Sequence, residues 1–338
     1  MRRRYTGAHH LAAAAAVLVS AYNETAIARR LGDPGITMTD SMAFRTLEDS
    51  LTARHHFRYS QGKSILLFQR VSASLICVFT QALLCNISEA IRMIRGVLLS
   101  RQGDEHVVNL CDSAGKSDLA FGLGHLLNIE IWPRIRSGHL TLWAATGDLS
   151  AYEHTREAIQ GRVNWGRIDE CWRDRMWVLA SIASGHVDPG LILDNLVYHE
   201  KHPAAIGFRE LGKAVRSDYL LRYGMDMELR RPVMRHTARR EHRNKLGRLV
   251  LHARGGVVRE KHLSDQEEVF WFLTVVQNAI VLWNALGLEQ AIDDVRRQGG
   301  EIPEDDLAHV LPLMVEHINF VGRFALDMNR RPPFRLVA

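Results

Sequence analysis

The stretch "EHVVNLCDSAGKSDLAFGLGHLLNIEIWPRI", residues 105–135, decides the fold. Its opening, "EHVVNLCDSAG", reads as a buried strand that ends at Asp112, because a run of apolar residues gives way to a Ser-Ala-Gly turn. "SDLAFGLGHLLNI" has helical spacing, with Ser117 or Asp118 near its start. "EIWPRI" is another short strand. Together they form a strand–helix–strand unit.

Working outward, "ITMTDSMAF" (residues 36–44) is a β-branched segment that carries Asp40. "SILLFQRVSAS" and "LICVFTQALL" (residues 64–84) read as two neighbouring strands rich in Val, Ile, Leu and Phe. "NISEAIRMIRGVLLSRQG" follows with apolar residues at Ile87, Ile91, Ile94, Val97 and Leu98, which is helical, with Asn86 or Ser88 as cap and Gly103 as stop. An antiparallel meander followed by a strand–helix–strand unit predicts a mixed sheet with helices on its faces, the element order of a ribonuclease-H-like fold. From residue 161 the pattern changes. Residues 162–185, 202–224 and 264–300 all show helical period and punctuation. The expected organisation is an N-terminal helical segment (1–35), the first part of the core (36–160), a helical insertion (161–228) and a helical C-terminal part (229–338).

The 338 residues are enough for a large core. Hydrophobic residues make up 46% and charged residues 24%, as in ordinary globular chains, and the net charge is +5. That excess is clustered. "RRPVMRHTARREHRNKLGRLVLHARGGVVR" (residues 230–259) holds ten Lys or Arg and a single acid, Glu241. Such a cluster favours polyanions, nucleic acid before membrane surface. The four cysteines, Cys77, Cys85, Cys111 and Cys171, lack zinc-type spacing and read as reduced thiols. The pairs His9–His10 and His55–His56 lack a ligand partner at metal spacing. The N-terminal "MRRRYTGAHHLAAAAAVLVSAYNE" has features of a secretory leader. Its apolar run, Leu11 to Val19, is short, and the Ala-rich pattern continues to Gly32, so a cytosolic helix is expected. No other segment reads as a membrane span.

Three acids stand out by position. Asp40 lies in the first strand, Asp112 ends a later one, and Glu241 sits within the basic cluster. Hard oxygen ligands of this kind suit Mg²⁺ or Mn²⁺ together with phosphate oxygens. Equally, Asp40 and Asp112 could serve as ordinary turn and capping residues, and Glu241 could pair with Lys245 on one helix face.

The segment "NLCDSAGKSDLAFGLGHLLNIEIWPRI" resembles the Asp-Thr-Ala-Gly block of replicative transposases of the Tn-three family. The likeness continues through "GRVNWGRIDECWRDRMWVLASIASGHV", "FRELGKAVRSDYLLRY", "REHRNKLGRLVLHARGGVVR", "NAIVLWNALGLEQAI" and "LPLMVEHINFVGRFALDM", and upstream through "LVSAYNETAIARRLGDPGITMTDSMAF". The resemblance implies that the family's Asp-Asp-Glu triad falls on Asp40, Asp112 and Glu241, at intervals of 72 and 129 residues. It implies a metal-dependent enzyme, using Mg²⁺ or Mn²⁺, that nicks 3′ ends and transfers strands. It further implies terminal inverted repeats and target DNA as partners, a homodimer on DNA, no membrane, and a cytoplasmic, nucleoid-associated location. Arg239, Arg240, Arg243, Lys245 and Arg248 are the expected phosphate contacts, with Lys245 and Arg248 sharing a helix face with Glu241. His317 and Asn319 are expected to pack against the sheet, with lining of the site as the alternative.

The chain departs from the family pattern in three places. Thr39-Asp40-Ser41 stands for Ser-Asp-Gly, Ser72-Ala73-Ser74 for a Ser-Asp-Gln or Ser-Gly-Gln turn, and Arg240 for the Gly before the Glu. Family members are far longer, so a truncated copy of the catalytic region is expected. The alternative is a catalytically degenerate remnant that only binds DNA or assembles with other copies.

Overall fold

Apolar runs build the strands and the 3.6-residue period builds the helices. The computed structural model describes residues 7–33, 35–47, 50, 53–55, 62–85, 88–100, 106–112, 117–135, 141–252, 256–320 and 322. In chain order the elements are α1 (Ala8–Asn23), α2 (Ala26–Leu31), β1 (Ile36–Thr46), β2 (Arg54–His55), β3 (Lys63–Ser72), β4 (Cys77–Leu84), α3 (Glu89–Ser100), β5 (Val107–Cys111), α4 (Asp118–Leu126), β6 (Ile129–Pro133), β7 (Leu142–Ala144), β8 (Ile159–Arg162), α5 (Trp165–Glu170), α6 (Trp172–Ala183), α7 (Pro189–Tyr198), α8 (Pro203–Met225), α9 (Met227–His252), β9 (Val257–Val258), α10 (Leu263–Arg297) and α11 (Glu304–Leu307). The expected strands and helices of residues 36–135 are found, and β2, β7, β8 and β9 are additional to them. Asn86 and Gly103, the expected cap and stop of α3, lie outside the described residues.

The chain divides into two compact units. One comprises Met1–Pro34, Ser41–Asn86 and Arg239–Ala338; the other comprises Gly35–Asp40 and Ile87–Ala238. The units are discontinuous, whereas the expected segments were linear, because β1 and α9 each run from one unit into the other.

In the Gly35–Asp40/Ile87–Ala238 unit, β1 pairs in parallel with β5, and β5 in parallel with β6. The register is held by a polar chain inside the sheet. Thr37 Oγ1 donates to Asn109 Oδ1 at 3.1 Å, and Asn109 Nδ2 donates to Thr39 Oγ1 at 2.9 Å. All three side chains are buried, so a slip of one residue would strand each of them without its partner. Helix α4 carries the chain from β5 to β6 and crosses α8 at Gly122 and Gly212. A Cβ at Gly122 would lie 1.9 Å from the Phe208 carbonyl oxygen, and one at Gly212 would lie 1.7 Å from that of Asp118. Only glycine permits this approach. Helix α6 packs on α8 through Arg175, which is buried, donates to the Ile168 carbonyl at 2.7 Å and lies against Gly207.

In the other unit, β3 is buried along nearly its whole length and pairs antiparallel with β4. Met42, Phe44, Ile65, Leu67, Phe270 and Leu273 form one cluster. Tyr22, Ile27, Leu246, Val281 and Ala285 form another between α1, α2, α9 and α10. Helix α10 corrects one expectation. It is long and apolar enough to cross a membrane by length and composition, but more than half of its apolar stretch is buried within the protein. Its Thr274, Gln277 and Asn278 are buried and hydrogen-bonded to β3, β4 and α9, as befits a core helix.

The expected mixed α/β architecture is therefore found: parallel pairs, antiparallel pairs and many helices.

Candidate active site

The β1–β5 ladder pairs Ile36 with Val108, Thr37 with Asn109 and Met38 with Leu110, a constant offset of 72. Asp40 and Asp112 are also 72 residues apart. The paired rungs end at Met38 and Leu110; Asp40, within β1, and Asp112, just after β5, each lie two residues beyond that last rung. Both aspartates are half-buried. Asp112 follows the carboxyl end of β5, the usual ligand edge of a parallel sheet, whereas Asp40 lies within β1.

Their field is felt by Cys111. Burial pushes its thiol well above the usual range, and the charges of Asp112, Asp40 and Glu89 push it further. Glu89, at the first turn of α3, therefore belongs to the same negative neighbourhood. Sequence reasoning missed it. It also missed Arg134, which follows β6 as Asp112 follows β5. The Arg134 backbone N–H donates to the Cys111 carbonyl at 2.9 Å. The signal for Arg134 was its place one residue past the strand "EIWP".

Glu241 lies in the other unit, exposed on α9. Among the described residues, no three His, Cys, Asp or Glu side chains are grouped to hold a metal ion. Asp40 and Asp112 belong to one unit, Asp40 within β1 and Asp112 just after the neighbouring β5. A two-aspartate pair of hard oxygen donors fits a divalent ion such as Mg²⁺ or Mn²⁺, which commonly takes one or two protein carboxylates and fills its remaining positions with water and phosphate oxygens.

The basic residues of α9 separate into two sets. Lys245 and Arg248 are exposed, in the same solvent stripe as Glu241 and His242. Arg239, Arg240 and Arg243, also expected as phosphate contacts, are buried. Arg243 donates to the Leu75 carbonyl and to Asn278 Oδ1, both at 2.8 Å. Burial lowers its pKa to about 10, so it stays charged at neutral pH. Arg239 donates to the carbonyls of Leu31 (3.3 Å) and Ala308 (2.9 Å). A guanidinium committed in this way is not available to a phosphate.

The departures from the expected motifs also have local partners. In the β3–β4 turn, Ser72 and Ser74 share a 2.8 Å hydrogen bond, and the Tyr22 hydroxyl donates to the Ser74 carbonyl at 2.5 Å. His317 packs edge-on to Trp283, with ring centres 5.0 Å apart.

The sequence pattern of the Tn3 transposase DDE domain matches residues 1–324. The chain belongs to that family. The transposase for transposon Tn1546 of Enterococcus faecium is 29% identical over 319 residues, covering 94% of this chain and 32% of that protein. The transposase for transposon gamma-delta of Escherichia coli (strain K12) is 27% identical over 331 residues, covering 97% and 33%. The transposase for transposon Tn3926 of Escherichia coli is 30% identical over 315 residues, covering 92% and 32%. The chain therefore spans about a third of the length of these relatives.

Proposed function

We propose that this chain is the catalytic region of a DNA transposase. In this reading it cuts one strand at each transposon end and joins the exposed 3′-hydroxyl to target DNA. The observation that supports it is the 72-residue offset of the β1–β5 ladder, which equals the interval between Asp40 and Asp112. Family membership supplies the DNA chemistry for which that pair is suited.

In this reading the sheet is ribonuclease-H-like, and Asp40 and Asp112 hold a divalent cation between them. Such an ion, when bound, stabilises charge on the leaving oxygen and activates the attacking water or hydroxyl. Glu241 completes the ligand set from the basic helix. Lys245 and Arg248 neutralise nearby phosphates and hold the DNA in register, without reading its sequence. The substrates are terminal inverted repeats and target DNA, the working form is a homodimer on DNA, and the setting is the cytoplasmic nucleoid rather than a membrane.

A second reading, a remnant that binds DNA without cutting it, is favoured by one observation: no three-acid group stands ready among the described residues. The deciding experiment is Mg²⁺- or Mn²⁺-dependent nicking of transposon-end DNA by the wild-type chain and Asp112→Asn. Nicking that Asp112→Asn abolishes supports the enzyme. Salt-sensitive binding without cleavage by either protein supports the remnant.

A further inference from the structure

The β1–β5 ladder extends one strand further. β5 and β6 pair in parallel at a constant offset of 22: Val107 with Ile129, Asn109 with Ile131, Cys111 with Pro133. The hydrogen bond from the Arg134 N–H to the Cys111 carbonyl, at 2.9 Å, closes the Cys111–Pro133 rung. The same offset carried one residue further would set Arg134 beside Asp112. Carried on in this way, three neighbouring parallel strands would bring Asp40, Asp112 and Arg134 to one level, a cation beside two carboxylates. Arg134 is half-buried, like both aspartates.

We propose that Arg134 is the phosphate-gripping residue of this edge, its guanidinium binding the DNA phosphate that faces Asp40 and Asp112. The proposal rests on the metal-site reading of that aspartate pair. Two carboxylates alone repel a phosphodiester. A planar fork of donors at the same level offers two parallel hydrogen bonds to its non-bridging oxygens and offsets the repulsion. Partial burial strengthens the contact, because the charge pair is screened less than at the open surface. The three buried arginines of α9 cannot supply this contact, whereas Arg134 stands on the strand edge itself.

The test uses the full 338-residue chain and a duplex DNA oligonucleotide in Mn²⁺, with affinity measured across a salt series and Mn²⁺ binding followed by electron paramagnetic resonance. Arg134→Gln is expected to bind DNA about tenfold more weakly. Its slope of log affinity against log salt should fall by about 0.9, the loss of one phosphate contact. Mn²⁺ binding should stay at the wild-type level. Arg134→Lys should regain the slope but only part of the affinity. DNA affinity and slope unchanged in Arg134→Gln overturn the proposal. So does loss of Mn²⁺ binding, which would mean that Arg134 merely holds Asp112 in place. Should Arg134→Gln fail to fold, Arg134→Lys decides alone, and wild-type DNA affinity in that variant counts against a bidentate grip. Asp112→Asn separates the two readings. If it binds Mn²⁺ like the wild type, the metal site falls, whatever Arg134 does.

Discussion

The β1–β5 edge and the α9 face hold their acids in opposite ways. Asp40 and Asp112 are placed by backbone. Each sits at a fixed count along a strand, the strands are locked by a parallel ladder, and the Thr37–Asn109–Thr39 chain pins the register. Glu241 is placed by side-chain packing. Its helix is seated by Arg239 and Arg243, which reach into the core, and its own side chain looks outward. A backbone-held acid moves only if the fold moves. A packing-held acid can be retuned by a single core substitution.

The sharpest way to break that contrast is to strike the scaffold under the aspartates. Gly122→Ala or Gly212→Ala places a methyl group within 2 Å of a backbone oxygen on the facing helix. Flexible side chains cannot relieve that clash, so α4 and α8 must separate. A loss of about 3 kcal/mol or more is expected, at the upper end of overpacking costs, read from the denaturant midpoint. Gly147, which has open space around it, is the control: Gly147→Ala should leave the midpoint nearly unchanged.

The matching strike on α9 is smaller. Asn278→Ala removes the acceptor of Arg243 Nη2 and the partner of both the Cys77 N–H and its carbonyl. A buried cation then keeps its bond to the Leu75 carbonyl but loses its amide acceptor. About 2 kcal/mol of destabilisation is expected. Asn278→Asp should recover much of it, since a carboxylate accepts from the same guanidinium. No recovery would mean that α9 is seated by apolar contacts instead.

The same contrast explains what the sequence made legible. The strand–helix–strand unit at residues 105–135 was readable because its apolar runs and its turn signals agree. The relation between Asp40 and Asp112 was half readable. The spacing of 72 is in the sequence, but its meaning depends on a register that only the structure supplies. The burial of Arg239, Arg240 and Arg243 was not readable at all. Charge composition reads as surface, and their carbonyl partners come from residues as distant as Leu31, Leu75 and Ala308. Arg134 was hidden for a related reason: its importance lies in its place just past β6, not in any motif around it.

On the exposed stripe, Lys245→Ala and Arg248→Ala sharpen the division between seated and presented cations. Each should change stability by no more than about 0.5 kcal/mol. Each should lower the salt slope of DNA binding by about 1, with affinity weakened evenly across sequences. A stability loss like that of Asn278→Ala would place these residues among the packing set instead.

The gentlest probe returns to the scaffold beneath the aspartates. Asp118 opens α4, and its carboxylate forms an ion pair with Arg216, Oδ1 lying 2.9 Å from Nε. Burial raises its pKa, and the nearby charges of Arg216 and Lys213 only partly oppose the rise. A carboxyl whose folded pKa exceeds its unfolded value binds its proton more tightly when folded. Its contribution is therefore complete below the ordinary carboxylate pKa and is lost as pH rises through the elevated folded value. Stability measured across that window should fall with rising pH in the wild type. In Asp118→Asn, which cannot titrate, that part of the slope should vanish. If the variant shows the opposite change, with stability now falling more steeply as pH rises, the Arg216 pair outweighs burial, and α4 is held to α8 by charge as well as by its two glycines.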